Sequence, residues 1–297
     1  MVHKILPAHC LKWRQFVCLL AVIVAALGAP VVQAADDPLI IGVFPRRNAM
    51  ETSKLFTPLA VYLGERLGRE VKLVTSRNFD TFWKDVAEQR YDLVHYNQYQ
   101  YIRSAATYKV IAHTQEFGKN AVAGVIFVRK DSGITDVSQL RGRTVIFGGS
   151  KDAMLSYIAP RYLLMQAGLK EGDFKTKFAV NPQNALVALY YKQADAAGGG
   201  DVVVNQPAIK SAINIQDIQI LTSTEPLLFL PWAVKRSMQP KLAQSIQSLL
   251  IDLENSEAGK QVLKSAIMSG IGVAWDKDYD PHRRMTATVF GPDGTAK

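Results

Sequence analysis

The segment Phe147-Gly148-Gly149-Ser150-Lys151-Asp152 combines two glycines, a hydroxyl, an amine and a carboxylate. The residues before it predict a strand and those after it a helix, so free backbone N–H groups at the helix start would favour an anion. Ser150 would add a hydroxyl donor and Lys151 a positive charge. The alternative is that Ser150 caps the helix while Asp152 complements the helix dipole.

A second polar cluster, His95-Tyr96-Asn97, ends an apolar run and precedes another predicted helix. Aromatic rings with hydrogen-bonding tips can wall a pocket and orient a polar ligand. We therefore expect His95, Tyr96 and Asn97 at a ligand site. A role in the hydrophobic core is the alternative for His95.

Candidate residues also follow other predicted strands. Arg46 comes after the first strand, Phe79 after the second, and Asp201 after three consecutive glycines in the later part of the chain. Arg46, with its neighbour Arg47, would bind an anion through paired hydrogen bonds. The alternatives are a solvated turn at Arg46 and a flexible turn at Asp201.

Enzyme chemistry finds little support in the sequence. It contains neither a Gly-x-Ser-x-Gly elbow nor a His-Glu-x-x-His pair, and the glycine loop fits neither a P-loop nor a dinucleotide fingerprint. His95, His113 and Asp201 have the side-chain types of metal ligands, but nothing in their spacing brings them together. We expect no catalysis, no cofactor and no metal.

Strand patterns alternate with helical patterns from Leu39 onward, which predicts an α/β fold with mainly parallel sheets flanked by helices. The first region has predicted strands at Leu39–Phe44, Val71–Thr75, Leu93–Tyr96 and Gly124–Val128, and helices starting at Thr57-Pro58, Phe79 and Tyr99. The later region has predicted strands at Thr144–Phe147, Phe178–Val180, Ala194–Ala197, Ile218–Leu221 and Leu227–Val234, and helices at Ala153–Ala167, Pro182–Tyr191, Pro240–Leu253 and Ala258–Met268.

Two segments, near Val125–Lys130 and near Ser223–Pro226, are the expected crossings between two lobes. The first lobe would then be discontinuous, with residues 35–125 and 226–297, and the second lobe would hold residues 126–225. Paired connections of this kind form a hinge, and ligands bind where the carboxyl ends of the strands face the cleft.

The first 34 residues have the pattern of a secretory signal. Lys4, Lys12 and Arg14 precede the apolar run Phe16–Leu27, and small residues follow, so we expect cleavage between Ala34 and the next residue. Both cysteines of the chain would be removed with this segment, which excludes disulfides and thiol chemistry from the mature protein. Its loss also lowers the formal net charge of +9 by three. The remaining basic residues are dispersed, which argues against nucleic acid as a partner.

Six stretches of the sequence resemble the phosphonate-binding periplasmic proteins of ABC transporters, the PhnD-like branch of the type II periplasmic binding fold. The resemblance covers nearly all of the chain after the signal. It is carried by Ile41-Gly42-Val43-Phe44-Pro45, Phe56-Thr57-Pro58-Leu59-Ala60-Val61-Tyr62-Leu63, Val128-Arg129-Lys130-Asp131-Ser132-Gly133-Ile134, Leu140-Arg141-Gly142-Arg143-Thr144-Val145-Ile146-Phe147-Gly148, Pro160-Arg161-Tyr162-Leu163-Leu164 and Asp278-Tyr279-Asp280-Pro281.

The resemblance implies a monomeric periplasmic protein with two hinged lobes, which closes on a small ligand and docks on an inner-membrane permease. Tyr96 matches a cleft tyrosine of that family, Phe79 stands where another tyrosine is common, and Asp201 falls near an acidic cleft residue. The chain departs from the family at Asp152-Ala153-Met154-Leu155, where Ser-Thr-Ser-Gly is usual, and at Gln183, where aminophosphonate binders have a glutamate. The expected ligand is phosphate, phosphite, phosphonate or a related oxyanion. The alternative is a sensory module that presents its bound state to a receptor or kinase.

Overall fold

The structure, a computed structural model, describes residues 37–294. The expected signal segment and its cleavage point at Ala34 lie outside the described residues. Within residues 37–294, no helix is long and apolar enough to cross a membrane.

The strands, in chain order, are β1 (Leu39–Val43), β2 (Val71–Thr75), β3 (Leu93–His95), β4 (Tyr108–Gln115), β5 (Ala121–Val122), β6 (Gly124–Arg129), β7 (Thr144–Gly148), β8 (Lys175–Ala179), β9 (Ala196–Gly200), β10 (Ile218–Ser223), β11 (Leu227–Leu228), β12 (Pro231–Lys235) and β13 (Gly270–Val273). The α-helices are α1 (Ala49–Leu67), α2 (Phe79–Ala87), α3 (Gln98–Ser104), α4 (Ala159–Gln166), α5 (Pro182–Tyr190), α6 (Pro207–Ala212), α7 (Pro240–Ile251), α8 (Glu257–Ala266) and α9 (Asp280–Phe290). A π-helical turn, Met154–Ile158, leads into α4. Short 3₁₀ turns cover Lys130–Ser132, Val137–Leu140, Asp201–Asn205, Ile215–Asp217, Asp252–Asn255 and Asp276–Tyr279.

Two larger sheets organise the described part of the chain, and we call the part built on each sheet a lobe. The first sheet has the strand order β13-β4-β12-β3-β1-β2, and the second has the order β10-β6-β9-β7-β8. Strands β2, β1 and β3 are parallel to one another, as are β8, β7 and β9. The remaining pairings in both sheets are antiparallel. Each sheet therefore contains the expected parallel strands together with an antiparallel half that the sequence pattern did not indicate.

The chain passes between the two sheets twice. It leaves the first sheet after β4 and enters the second at β6, and it returns between β10 and β12. The two connections pair with each other through β5 and β11. The first connection thus lies just ahead of the expected position, because Val125–Arg129 already belong to β6.

Helix α1 begins at Ala49, whereas the sequence predicted its start at Thr57-Pro58. The Asn48 side chain caps the helix by accepting a hydrogen bond of 2.9 Å from the N–H of Glu51. Pro58 lies inside the helix, where it removes one backbone hydrogen bond. The Thr-Pro pair was wrongly taken as a helix start, since Pro is also tolerated at a helix interior when burial of the apolar face compensates.

The sequence-based prediction omitted β4, β13, α6 and α9, and it fused β11 and β12 into one strand. Six of the eight residues of β4 are buried and show no regular alternation with exposed residues, because the strand lies inside the sheet between β12 and β13. A buried strand of this kind is not distinguished by periodicity from other apolar segments. Phe229 and Leu230 separate β11 from β12, so the predicted strand Leu227–Val234 is two strands.

Gly148 at the end of β7 allows α5 to approach the cleft. A Cβ atom at this position would lie 2.3 Å from the backbone N and Cα of Pro182, the first residue of α5. Such a contact cannot be relieved by a side-chain rotation. The close approach of strand end and helix start therefore requires glycine here.

We expect Gly148→Ala to lower the free energy of unfolding by about 1 to 3 kcal/mol, the range for overpacking a close-packed site. Urea unfolding followed by circular dichroism measures this change. Gly200→Ala is the comparison, because its nearest contact would be the Leu155 side chain at 3.2 Å and not backbone. Equal stability of Gly148→Ala and the unmodified protein would contradict the packing argument.

Candidate functional site

A cavity of about 600 Å³ lies between the two lobes. It is lined by residues that follow all six parallel strands of the two sheets: Arg46 after β1, Phe79 after β2, Asn97 after β3, Gly149 after β7, Asn181 after β8 and Val202 after β9. The carboxyl ends of parallel strands are the usual location of ligand sites in sheets of this type. The sequence placed the site at these strand ends, and the cavity is found there.

Two guanidinium groups and the carboxylate of Glu51 form the charged part of the first-lobe wall. Arg46 Nη1 lies 2.9 Å from Glu116 Oε1, and Arg47 Nε lies 3.1 Å from Glu51 Oε1. Burial and the neighbouring charge of Arg46 lower the pKa of Arg47, and the two glutamates only partly offset this. An anionic ligand would stabilise both guanidinium groups.

Asn97 connects the lobes across the cavity. Its Oδ1 accepts a hydrogen bond of 2.8 Å from the N–H of Gln100 and so caps α3, as the Asn type at that position favours. Its Nδ2 donates to the backbone carbonyl of Asp152 in the second lobe at 3.3 Å. Asn97 is therefore fixed by its own helix while one amide group reaches the opposite wall.

Two helix starts face the cavity from the second lobe. Asn181 caps α5 by accepting a hydrogen bond of 2.8 Å from Asn184, and Gln183 Nε2 donates to Gln206 Oε1 at 2.6 Å. The π-helical turn before α4 begins at Met154, which also lines the cavity. The first N–H groups of a helix have no partner within the helix, so both helix starts offer donors to a ligand.

The loop that joins β7 to this turn holds Ser150, Lys151 and Asp152. Ser150 Oγ accepts a hydrogen bond of 3.3 Å from the N–H of Asp152, and Ala153 occupies the cap position without a side-chain bond. Ser150 and Asp152 line the cavity, whereas Lys151 is exposed and is not among its lining residues. Burial raises the pKa of the Asp152 carboxyl, as does the charge of Asp80, while Arg103 acts in the opposite direction.

The structure does not bring Tyr96 to the cavity. Its side chain has 0% exposure, and its hydroxyl forms a hydrogen bond of 2.9 Å with Ser104 Oγ inside the first lobe. Burial raises the pKa of Tyr96 well above its ordinary value. The ring packs among other core aromatics, including Tyr101 and Tyr108.

His95 is also a core residue of the first lobe. Its ring stacks on Trp232 with centroids 4.2 Å apart, and its Nδ1 hydrogen-bonds the Pro231 carbonyl at 3.1 Å. Burial lowers the pKa of His95 to about 3, so the ring is neutral at physiological pH. His95 borders a smaller cavity of about 440 Å³, which also has residues of both lobes in its wall and shares Arg46 and Arg47 with the larger cavity. His95 does not line the larger cavity.

Asp201 stabilises a connection between the lobes. Its carboxylate accepts hydrogen bonds from Lys119 Nζ at 3.1 Å and from the N–H of Ala123 at 3.1 Å. Both partners lie between β4 and β6, and Asp201 is not a lining residue of either cavity described above. Among residues 37–294, no three His, Cys, Asp or Glu side chains come together as a metal site would require.

Gln206 and Glu116 are parts of the site that the sequence did not single out. Gln206 lines both cavities and pairs with Gln183, and Glu116 holds Arg46. Gln206 immediately precedes Pro207, the first residue of α6. Because proline is common at the first position of a helix, the sequence did contain a signal for a helix start at Gln206. Glu116 follows β4, which was not predicted, so no strand end marked it.

These features define a two-lobed binding protein with a ligand cleft between α/β lobes. The profile of a family described as "ABC transporter, phosphonate, periplasmic substrate-binding protein" matches residues 41–279. The chain therefore belongs to the phosphonate-binding periplasmic substrate-binding proteins of ABC transporters, as its sequence resemblance implied. The proteins of this family are periplasmic substrate-binding components of transporters.

Solved structures share the type II periplasmic binding fold. A Xanthomonas citri protein bound to ATP has a TM-score of 0.73 and 17% identity, covering 84% of this chain and 96% of that chain. PhnD1 from Prochlorococcus marinus, in complex with methylphosphonate, has a TM-score of 0.71 and 18% identity, covering 85% and 98%. A binding protein component of an ABC phosphonate transporter from Pseudomonas aeruginosa has a TM-score of 0.70 and 14% identity, covering 88% and 90%. At these identities the likeness concerns the fold.

A curated relative is a sensor. The tetrathionate sensor histidine kinase TtrS of Salmonella typhimurium is 30% identical over 164 residues, which cover 52% of this chain and 27% of that protein. The chain thus matches little more than a quarter of the length of this relative.

Two buried histidines predict the pH dependence of stability. Burial lowers the pKa of both His95 and His282 to about 3, against about 6.5 in the unfolded chain. Below pH 6.5 the unfolded state therefore binds protons that the folded state does not, and stability is lost as the pH falls. Between pH 6 and pH 5 each histidine contributes a loss approaching about 1.4 kcal/mol per pH unit.

Urea unfolding at pH 7, 6 and 5 measures this loss, with His282→Gln as the comparison. We expect a shallower pH dependence in the variant, because only one of the two histidines then titrates. Identical slopes for the two proteins would show that His282 is not held neutral in the fold.

Proposed function

We propose that this protein captures a small oxyanion of the phosphate, phosphite or phosphonate class in the cleft between its lobes and delivers it to an inner-membrane permease. The observation that carries the proposal is the position of Arg46 and Arg47 on the same cavity as two helix starts from the opposite lobe. Guanidinium groups and free helix N–H groups are the donors that tetrahedral oxyanions bind best. The amides of Asn97 and Gln183 add neutral donors on either side.

The proposed binding set is Arg46, Arg47, Asn97, Ser150 and Gln183 with the two helix starts, and Phe79 as an apolar wall. Lys151, His95, Tyr96 and Asp201 are left out, because each lies outside the cavity or is engaged elsewhere. This selection rests on the geometry of the cleft.

Apolar side chains at the cleft rim support a closing movement. Phe79 of the first lobe is 44% exposed and Val180 of the second lobe is 85% exposed, and both line the cavity. Burying them around a bound ligand would add hydrophobic stabilisation to the closed state. A ligand that contacts both lobes favours closure through its higher affinity for that state, and a permease would recognise the closed form.

Arg47→Gln tests the anion site. We expect the affinity for methylphosphonate, phosphate or phosphite to fall by about 1 to 3 kcal/mol, because a charge-assisted hydrogen bond is lost. Isothermal titration calorimetry of the purified protein measures this change.

Two control variants also remove a positive charge. Arg141→Gln breaks the ion pair with Asp173 in the second lobe, and Lys151→Gln removes an exposed charge near the cleft loop. Neither residue lines the cavity, so both variants should bind like the unmodified protein. A loss of affinity in Lys151→Gln equal to that in Arg47→Gln would favour the loop lysine over the arginine pair. Absence of binding to all three oxyanions would refute the proposal.

A sensory role is the second candidate function, and the similarity to the tetrathionate sensor kinase favours it. In this case the closed form would dock on a receptor and not on a permease. Deleting the gene in the source bacterium separates the two roles. Loss of uptake of the bound oxyanion indicates transport, whereas normal uptake with a lost transcriptional response to that oxyanion indicates sensing.

A further inference from the structure

Asp152 is a charged residue of the cavity without a partner. Each arginine in the cavity wall is paired with a glutamate, Arg46 with Glu116 and Arg47 with Glu51. Within residues 37–294, by contrast, no basic side chain forms an ion pair with Asp152, and only its backbone groups make hydrogen bonds. Asp152 is therefore the charged residue of the cavity wall that has no ion pair, and a carboxylate in this position is unexpected for a site that binds a bare anion.

The backbone of Asp152 is fixed from both sides. Its N–H donates to Ser150 Oγ at 3.3 Å, and its carbonyl accepts from Asn97 Nδ2 of the opposite lobe at 3.3 Å. These two hydrogen bonds hold the backbone of Asp152 at the cavity wall in the conformation that joins the lobes.

The surroundings do not neutralise this carboxylate. Arg103 on α3 is the nearest favourable charge, but its guanidinium lies over the rings of Trp83 and Tyr99, 5.5 and 5.6 Å from their centroids. Asp80 on α2 acts unfavourably, and partial burial raises the pKa of the Asp152 carboxyl. A half-buried carboxylate without a donor is costly, so a ligand that supplies a donor gains the corresponding free energy.

We infer that Asp152 determines ligand specificity by accepting a hydrogen bond from a donor group on the bound oxyanion. The inference rests on the proposed function. An oxyanion would place its ionised oxygens toward Arg46 and Arg47 and an O–H or N–H group toward Asp152. The site then selects oxyanions that keep a proton or carry an ammonium group, and it repels oxyanions that are fully ionised and have no donor.

Phosphorus and sulfur oxyanions differ in this property. Singly esterified phosphate and its relatives have a second ionisation near pH 6 to 7, so a protonated species is present under physiological conditions. Sulfonates are strong acids, and at neutral pH they retain no proton. Methylphosphonate and methanesulfonate have nearly the same size and shape, so they differ at the site mainly in the donor.

Titration calorimetry of the full chain with this pair, at pH 6.5, tests the inference. We expect the unmodified protein to prefer methylphosphonate by about ten- to a hundredfold, the range for a hydrogen bond to a charged group together with the repulsion of an unprotonated analogue. Asp152→Asn should bring the two affinities close together, because the amide attracts an ionised oxygen. Asp80→Asn, which removes a carboxylate that does not line the cavity, should keep the preference.

A second pair of ligands identifies the source of the donor. If the donor is an ammonium group, 2-aminoethylphosphonate binds more tightly than ethylphosphonate, and Asp152→Asn abolishes the difference. If the donor is the acidic O–H, 2-aminoethylphosphonate and ethylphosphonate bind alike. In that case the affinity of the unmodified protein for methylphosphonate falls as the pH rises through the second ionisation of the ligand, whereas the affinity of Asp152→Asn does not.

The two levels of the hypothesis fail in different ways. Binding of methylphosphonate with the same preference in Asp152→Asn and in the unmodified protein overturns the role of Asp152 and leaves the proposed function standing. Equal binding of phosphonate and sulfonate by the unmodified protein does the same. Absence of binding to all four ligands and also to phosphate and phosphite overturns both. Thermal unfolding of each variant establishes that a changed preference does not reflect a disrupted fold.

Discussion

The pairing of the two connections between the lobes is the constraint on which the cleft depends. Gly124 and Thr224, one from each connection, are joined by two hydrogen bonds, from the N–H of Gly124 to Thr224 Oγ1 at 3.1 Å and from the N–H of Thr224 to the Gly124 carbonyl at 2.9 Å. A Cβ on Gly124 would lie 2.3 Å from Ala159 Cβ, so α4 packs directly on this junction. The connections are thereby fixed to each other and to the helix whose preceding turn lines the cleft.

The first connection leads into β6 of the second sheet, and the second connection leads into β12 of the first sheet. Each of these strands lies antiparallel beside a parallel trio, β6 next to β9 and β12 next to β3. The strand ends of both trios therefore open toward one cavity, which accounts for the contribution of all six strands to its wall. In the proposed closing movement, a rotation about the paired connections would change the width of the cleft without disturbing either sheet.

The electrostatics of the cleft favour selectivity over indiscriminate attraction. Arg46 and Arg47 are already paired with Glu116 and Glu51, so a ligand must compete with carboxylates for the same donors. Such competition reduces the binding free energy of every anion. The shape and the protonation state of the ligand would then determine which anion binds. Glu116 follows β4 at the start of the first connection. Its ion pair with Arg46 therefore joins the wall of the cavity to this connection.

The sequence by itself determined the α/β class, the two regions of alternating strands and helices, and the strand ends at which Arg46, Asn97 and Gln183 lie. These conclusions follow from local patterns, because a strand end and a helix start are encoded by neighbouring residues. Only the tertiary structure decided that Tyr96 and His95 belong to the core, that Asp201 stabilises a connection, and that Asp152 forms no ion pair within residues 37–294. For His95 and Asp201 the deciding neighbour comes from a distant part of the chain, Trp232 against His95 and Lys119 beside Asp201. Side-chain type and spacing show what a residue is able to do, but long-range packing fixes which of its possible partners is within reach.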